Sequence, residues 1–502
     1  AGMGWGFNGW RVADEACRAG RRQGGYTARG EELERGRTVT DTERRSARSI
    51  LLFWLPLAAT WMMMAVEGPF LAAVIARLAD PKFNLAAHGV AFAFAILVES
   101  PVIMLMSAST ALVEDAKTYR RLRNFANALN AGATALLLVV LIPGVYATLM
   151  EGLIGLPPEV ARLTNGALWI LLPWPAAIGY RRFLHGLLIR SGRTRLVAVG
   201  TVLRITGMAA TALVLYFMGG VPGAWVGAAA LSAGVVVEAI ATRFMAAGTV
   251  RETLARERAV DDDSPAHDGY GAIATFYYPL ALTSLIGLTV QPMLTFFMGR
   301  APAPIESLAV FPVVHSLSFL FRALGLSFQE VAIALMGRRF EHYPELARFA
   351  TVLGLAATGG LALVAFTPLA DVWFITVSGL SPELAAFAIT PTRILTPLPA
   401  LSVLLSFQRA TLVQGRRTRP ITVATIIEVV TIAALFPLFG WGVGMVGVTA
   451  AVIAFVIGRL GGVVFLLGKA RSTRERAVRT RPNGDSAGGS GMIPWTQRGG
   501  RT

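Results

Sequence analysis

A small set of ionisable side chains stands deep inside stretches of this 502-residue chain that are otherwise apolar. Glu99 precedes Pro101, and Arg181 and Arg182 are adjacent, with His185 one helical turn further on. Arg204 and Glu428 lie in later apolar stretches, and His315 and Arg322, seven residues apart, share one helix face. A guanidinium offers paired N–H donors that match a carboxylate or a phosphate. Several of them in a low-dielectric wall would favour an anion. Glu67, just before Gly68-Pro69, suits a different task, carrying a coupling proton or a sodium ion. The competing use of these residues is internal pairing, such as Glu99 with Arg322 or Arg204 with Glu428. Seven unpaired charges at mid-membrane would cost about 20 kcal/mol in sum, more than the whole stability of a typical domain. They must therefore meet partners or border a polar space.

The elements that hold them are apolar runs of about 20 residues, the length that spans a hydrocarbon core. Twelve are readable: 50–76, 87–112, 122–145, 163–189, 196–218, 223–248, 273–298, 306–336, 347–368, 385–414, 420–439 and 444–468. With 54% hydrophobic and only 15% charged residues, the chain has too little polar surface to cover a soluble body. The expected class is an all-α integral membrane protein. Toward span ends, long side chains reach the polar interface, which is the reading for Glu238, Glu330 and Arg409.

The net charge of +16 is topological rather than a nucleic-acid footprint. With the amino terminus inside, the five cytoplasmic connections carry seventeen Lys and Arg, and the six outer ones carry four: Arg77, Lys82, Arg162 and Arg300. That is the positive-inside bias. An even number of spans places both termini in the cytoplasm of a multi-pass cell-membrane protein. Residues 1–48 and 470–502 read as basic, disordered tails whose Arg could hold anionic lipid headgroups. The first 48 residues have no apolar core, so no cleavable signal peptide is expected. The start at Ala1 rather than Met fits a fragment or an extended reading frame. Cys17 is the only cysteine, which excludes an intrachain disulfide or a thiolate metal site.

The chain repeats itself at a spacing of 223–224 residues. Phe53-Trp-Leu-Pro56-Leu-Ala58 returns as Phe276-Tyr-Tyr-Pro279-Leu-Ala281, Pro69 as Pro292, and Pro175 as Pro399. SGRTRLVAVGTVLRI (191–205) faces GRRTRPITVATIIEV (415–429), and WVGAAA (225–230) resembles MVGVTA (445–450). Six spans per half make the repeat parallel, with a pseudo-two-fold axis along the membrane normal. The expected organisation is a six-helix bundle over 49–248, a cytoplasmic linker over 249–270 with Asp261-Asp-Asp263, and a second six-helix bundle over 271–469. Repeat interfaces are where transporters place substrate, near the midplane.

Over about residues 49–470 the chain resembles the progressive-ankylosis (ANK) transporters of the multidrug/oligosaccharidyl-lipid/polysaccharide exporter superfamily. The resemblance is carried by FYYPLAL (276–282) through Pro292, by Pro391-Thr-Arg393-Ile394 to Pro399, and by the basic turns into spans 5 and 11. It implies two bundles working by alternating access, and export of small anions such as pyrophosphate, nucleotides or di- and tricarboxylates. It adds Arg393, in its Pro-x-Arg-Ile context, to the substrate-binding candidates Glu99, Arg181, Arg182, Arg204, His315, Arg322 and Glu428. Glu67-Gly68 resembles the family's acidic site late in helix 1. The family's polar residues in mid-helix 4 and 10 are replaced here by Arg181-Arg182 and by Leu405 and Phe407.

The expected function is secondary active export of a small organic or phosphorylated anion. The alternatives are a cation-coupled multidrug antiporter, which would need a net acidic, aromatic-lined cavity, and a flippase for lipid-linked oligosaccharides. A membrane enzyme or ATP-driven pump is not expected, because there is no Walker A, HExxH or GxSxG sequence. No cofactor is expected either.

Overall fold

The computed structural model describes residues 46–255, 269–337, 340–415, 417 and 419–479. Cys17, the acidic run at 261–263 and most of both tails lie outside them. Every described element is a helix. We label the main ones α1 (Ala47–Ala76), α2 (Pro81–Glu99), α3 (Leu105–Leu112), α4 (Ala116–Leu141), α5 (Pro158–Ile170), α6 (Trp174–Arg190), α7 (Thr194–Met218), α8 (Gly223–Met245), α9 (Ala247–Leu254), α10 (Tyr270–Leu288), α11 (Val290–Gly299), α12 (Pro304–Leu335), α13 (Tyr343–Phe366), α14 (Pro382–Leu395), α15 (Leu398–Gln414), α16 (Arg419–Phe436) and α17 (Gly447–Arg479). Among the described residues, ten helices are long and apolar enough to cross a membrane. The two other expected spans, 163–189 and 273–298, are interrupted. Proline, which lacks an N–H and clashes with the carbonyl four residues back, stands at the first break: Pro173 separates α5 from α6 and Pro175 opens α6. The same device recurs at Pro397 and Pro399 between α14 and α15.

Helix extends into the expected linker and into the stretch expected as a disordered tail. Residues 249–254 continue as α9, and α17 runs to Arg479, well into the stretch expected as a tail. Large apolar side chains point outward, Phe217 at 80% and Val352 at 66% exposure, as helices against lipid require.

Contacts recur at the repeat spacing. At the start of α8, Asn84 Oδ1 accepts a hydrogen bond from the Ala224 amide at 2.9 Å, and at the start of α17, Ser307 Oγ accepts from Val448 at 3.1 Å. Each satisfies an amide that the first turn of a helix leaves open. This pairing of Ala224 with Val448 keeps the 224-residue spacing. It replaces the sequence match of 225–230 to 445–450, in which Ala-rich helices aligned four residues out of step.

The two halves meet along α12, which packs on α1 and α2. α2 and α12 cross at Gly89 and Pro312. A Cβ on Gly89 would lie 2.6 Å from the proline Cγ, so only glycine permits this approach. At the end where α1 begins, Trp54 Nε1 donates to Ser327 Oγ of α12 at 2.8 Å, and Tyr277, its repeat counterpart, donates its hydroxyl to the Pro101 carbonyl. At the opposite end, Lys82 Nζ lies 2.5 Å from Glu306. There Arg77 donates to the carbonyls of Thr376 and Val377 at 2.6 and 2.9 Å. Arg300, 223 positions later, donates to those of Leu153 and Gly152. The acceptors close two π-helical turns, Thr148–Ile154 and Val372–Val377. Gly155 (φ +80°) and Gly379 (φ +73°) then reverse the chain in a conformation that glycine alone adopts readily.

Candidate functional site

The interior charges form two clusters, one in each half. In the first, Glu238 of α8 is fully buried, at 0% exposure. It accepts from Arg181 Nη1 of α6 at 2.7 Å, lies 3.4 Å from Arg204 Nε of α7, and lies 3.8 Å from His185 Nε2. Arg204 turns its other donors to Glu67 of α1, with Nη1 to Oε2 at 3.0 Å and a second, shorter contact from Nη2 to Oε1. His185 also faces Thr242 Oγ1 at 3.3 Å. One guanidinium thus bridges two carboxylates from different helices, and the chain Glu67–Arg204–Glu238–Arg181 ties α1, α6, α7 and α8 together. A buried charge this well partnered escapes most of its desolvation cost, and removing one member leaves the others stranded.

Glu99 sits at the end of α2, where the helix breaks before α3, and accepts from the Trp174 indole N–H at the start of α6. Arg182 lies with its Nη1 3.9 Å from the Met106 sulfur. It is also within electrostatic reach of Glu99.

In the second half, Glu428 of α16 accepts from Arg459 Nη2 of α17 at 2.8 Å. Arg322 of α12 donates through Nε to Ser402 Oγ of α15 at 3.3 Å, and its Nη1 is buried without a hydrogen-bond partner. The guanidinium carbons of Arg322 and Arg459 lie 5.2 and 5.4 Å from the centre of the Phe455 ring, within cation–π range. His315 is held 3.2 Å from Gln291 of α11, beside Phe311 and Phe455. Arg409 of α15 reaches Thr425 of α16 at 3.5 Å.

The structure therefore gathers Glu67, Arg181 and Arg204 in the first cluster, with Glu99 and Arg182 beside it, and His315, Arg322 and Glu428 in the second. The cross-half pairings of Glu99 with Arg322 and of Arg204 with Glu428 do not form. The ion pairs that do form among them stay within one half: Arg204 with Glu67 and Glu238, Arg181 with Glu238, and Arg459 with Glu428. Arg393 stands apart: it is exposed, donates to the Ala365 carbonyl at 3.1 Å and covers Phe366 at the end of α13. Two members were missed. Glu238 was taken as reaching the interface but is the hub of the first cluster. Arg459 was not singled out, although an arginine between Gly458 and Gly461-Gly462 in an apolar run is the same kind of signal as Arg204.

The chain matches no protein-family model and no curated protein. Its fold is that of several solved transporters. An inward-facing multidrug resistance MATE family transporter of the MOP superfamily superposes with a TM-score of 0.63 at 16% identity, over 84% of this chain and 96% of the other. The lipid II flippase MurJ, in an inward closed conformation, gives 0.63 at 12% identity, over 84% and 90%. A MOP superfamily transporter from Pyrococcus furiosus, described as having a binding pocket of reverse polarity that suggests a different function, gives 0.59 at 17% identity, over 87% and 98%. The helices of this chain are thus arranged as in these membrane transporters.

Proposed function

We propose that the protein is a secondary active transporter of the MOP superfamily, of ANK type, that exports a small organic or phosphorylated anion by alternating access. The proposed architecture is twelve spans in two six-helix bundles about an axis along the membrane normal, with both termini cytoplasmic. Arg77, Lys82 and Arg300 then mark the outer face. The carrying observation is a charge count in and beside the two interior clusters: Arg181, Arg182, Arg204, Arg322, Arg409 and Arg459 against Glu67, Glu99, Glu238 and Glu428. Such a surplus repels a cationic drug and draws an anion. The described reverse polarity of one fold neighbour supports the idea that pocket charge varies on this scaffold.

Glu67 is the proposed coupling residue. It shares Arg204 with Glu238, so a proton or sodium ion on Glu67 would release Arg204 to Glu238 and loosen α1 from α7. The shared guanidinium gives the coupling ion a mechanical consequence.

Uptake by proteoliposomes of labelled pyrophosphate, citrate and ATP, alongside a cationic dye, tests the reading. Faster dye movement than anion movement would favour the multidrug antiporter. Movement of a lipid-linked pyrophosphate alone would favour the flippase.

A further inference from the structure

We infer that Arg322, Arg409 and Arg459 form an oxyanion-binding subsite in the second half of the chain, made for a doubly charged carboxylate or phosphate. The inference deepens the anion reading above and rests on it, but it assigns the binding to one half.

The two clusters differ in balance. In the first, three guanidinium groups (Arg181, Arg182 and Arg204) stand against three carboxylates (Glu67, Glu99 and Glu238), so the cluster is balanced within itself. In the second, three guanidinium groups stand against Glu428, the one buried carboxylate of that half among the described residues. Two positive charges are left over, and they are not free in water. Arg322 is 7% exposed and the Arg459 side chain 11%.

The donors are also underused. Arg322 Nη1, Arg409 Nε and Arg459 Nε are buried without hydrogen-bond partners, as are the Nε atoms of Arg181, Arg182 and Arg204 in the first cluster, where three carboxylates balance the charge. The acceptors that Arg322 and Arg409 do reach, Ser402 and Thr425, are neutral hydroxyls at 3.3 and 3.5 Å. Arg322 and Arg459 converge on one ring, Phe455, and Arg322 and Arg409 each lie within electrostatic reach of Arg459 and Glu428. Three converging forks from α12, α15 and α17 with spare N–H groups suit an acceptor with several oxygens and a charge of about two. Glu428 already holds part of the Arg459 fork, so it competes with any anion for that arginine.

The test is a titration of the full-length purified protein in phospholipid-free detergent micelles, followed by thermal unfolding and calorimetry. Inorganic pyrophosphate and succinate are the free-anion probes. Phosphatidylglycerol in the same micelles is the lipid-phosphate probe. Wild type should be stabilised by pyrophosphate, Arg322→Gln should bind roughly tenfold more weakly, and Glu428→Gln should bind several-fold more tightly. The last variant keeps the test decisive if Arg322→Gln fails to fold. A response confined to phosphatidylglycerol and lost in Arg322→Gln upholds the subsite with a lipid phosphate as occupant. Unchanged affinity in both variants overturns the subsite while leaving the anion reading intact. Absence of any response in micelles, with anion uptake in vesicles preserved, also overturns the subsite alone. Absence of both overturns the reading beneath it.

Discussion

Arg204 and Glu428 occupy the same position of the repeat, 224 residues apart, and carry opposite charges. Each is paired with the last long helix of its own half, Arg204 with Glu238 and Glu428 with Arg459. An ion pair joins α7 to α8 in the first half and α16 to α17 in the second, with its polarity inverted. Inversion keeps a helix-to-helix pair in both halves while the charge balance around it differs: three carboxylates stand with the arginines of the first cluster and one with those of the second.

The hub role of Glu238 predicts a large stability loss on its removal. Glu238→Ala strands Arg181 in a buried setting and leaves Arg204 to Glu67 alone, and breaking a buried pair costs about 3–5 kcal/mol. Thermal unfolding in detergent should show a marked fall for this variant. Glu159→Ala, which removes a solvent-screened surface pair with Arg162, should leave the unfolding midpoint nearly unchanged. Equal losses would remove the hub assignment.

The crossing of α2 and α12 predicts that Gly89→Ala is poorly tolerated. The new Cβ meets a proline ring that the backbone holds in place, so relief requires the helices to separate. Overpacking of this kind costs about 1–3 kcal/mol. A lowered unfolding midpoint, with Gly132→Ala (where a Cβ meets nothing within 4 Å) as comparison, would bear this out. No difference between the two would mean that α2 and α12 do not approach so closely.

The reciprocal arginine clamps predict a change in the accessibility of the interface. In a Cys17→Ala background, a reporter placed by Ser316→Cys sits on α12 where it faces Gly68 of α1. Arg77→Ala combined with Arg300→Ala removes four hydrogen bonds between the two halves of the chain. Even one bond's worth, about 1.5 kcal/mol, shifts an equilibrium roughly tenfold. Labelling by an impermeant maleimide added outside should quicken by at least that factor. An unchanged rate would deny the clamps a part in closing the outer face.

Trp54 and Tyr277 predict the opposite bias. Trp54→Phe with Tyr277→Phe deletes one cross-half bond at each repeat position, at about 0.5–1.5 kcal/mol each. The same reporter should label faster from the cytoplasmic side of inside-out vesicles and more slowly from outside. Faster labelling from both sides would point to general loosening instead.

Much of the architecture was legible because it follows from hydrophobic length and from repetition. Ten spans emerge among the described residues as helices long and apolar enough to cross a membrane, one of them broken at Pro397, and Pro173 marks the matching break in the first half. Charge pairing was less legible. Whether Arg204 meets Glu428 or Glu67 depends on which way two helices face, and a run such as 196–218, apolar on all sides, gives no face to read. Glu238 lies near the end of its span in residue count, but the neighbouring α6 and α7 cover it, so depth along the chain did not report burial. Arg393 was proposed from its motif context, and the structure sets it against Phe366 rather than with the other arginines.

The arginine clamps take hold of peptide carbonyls, not of side chains. Any amino acid at positions 152, 153, 376 and 377 supplies that acceptor, so those four sites are free to drift over evolutionary time without weakening the closure. Constraint falls instead on the two arginines and on the two glycines that follow the turns. Among relatives the signature of this lock would be a pair of invariant cations facing hairpins whose composition wanders, a pattern that searches for co-varying contacts would pass over.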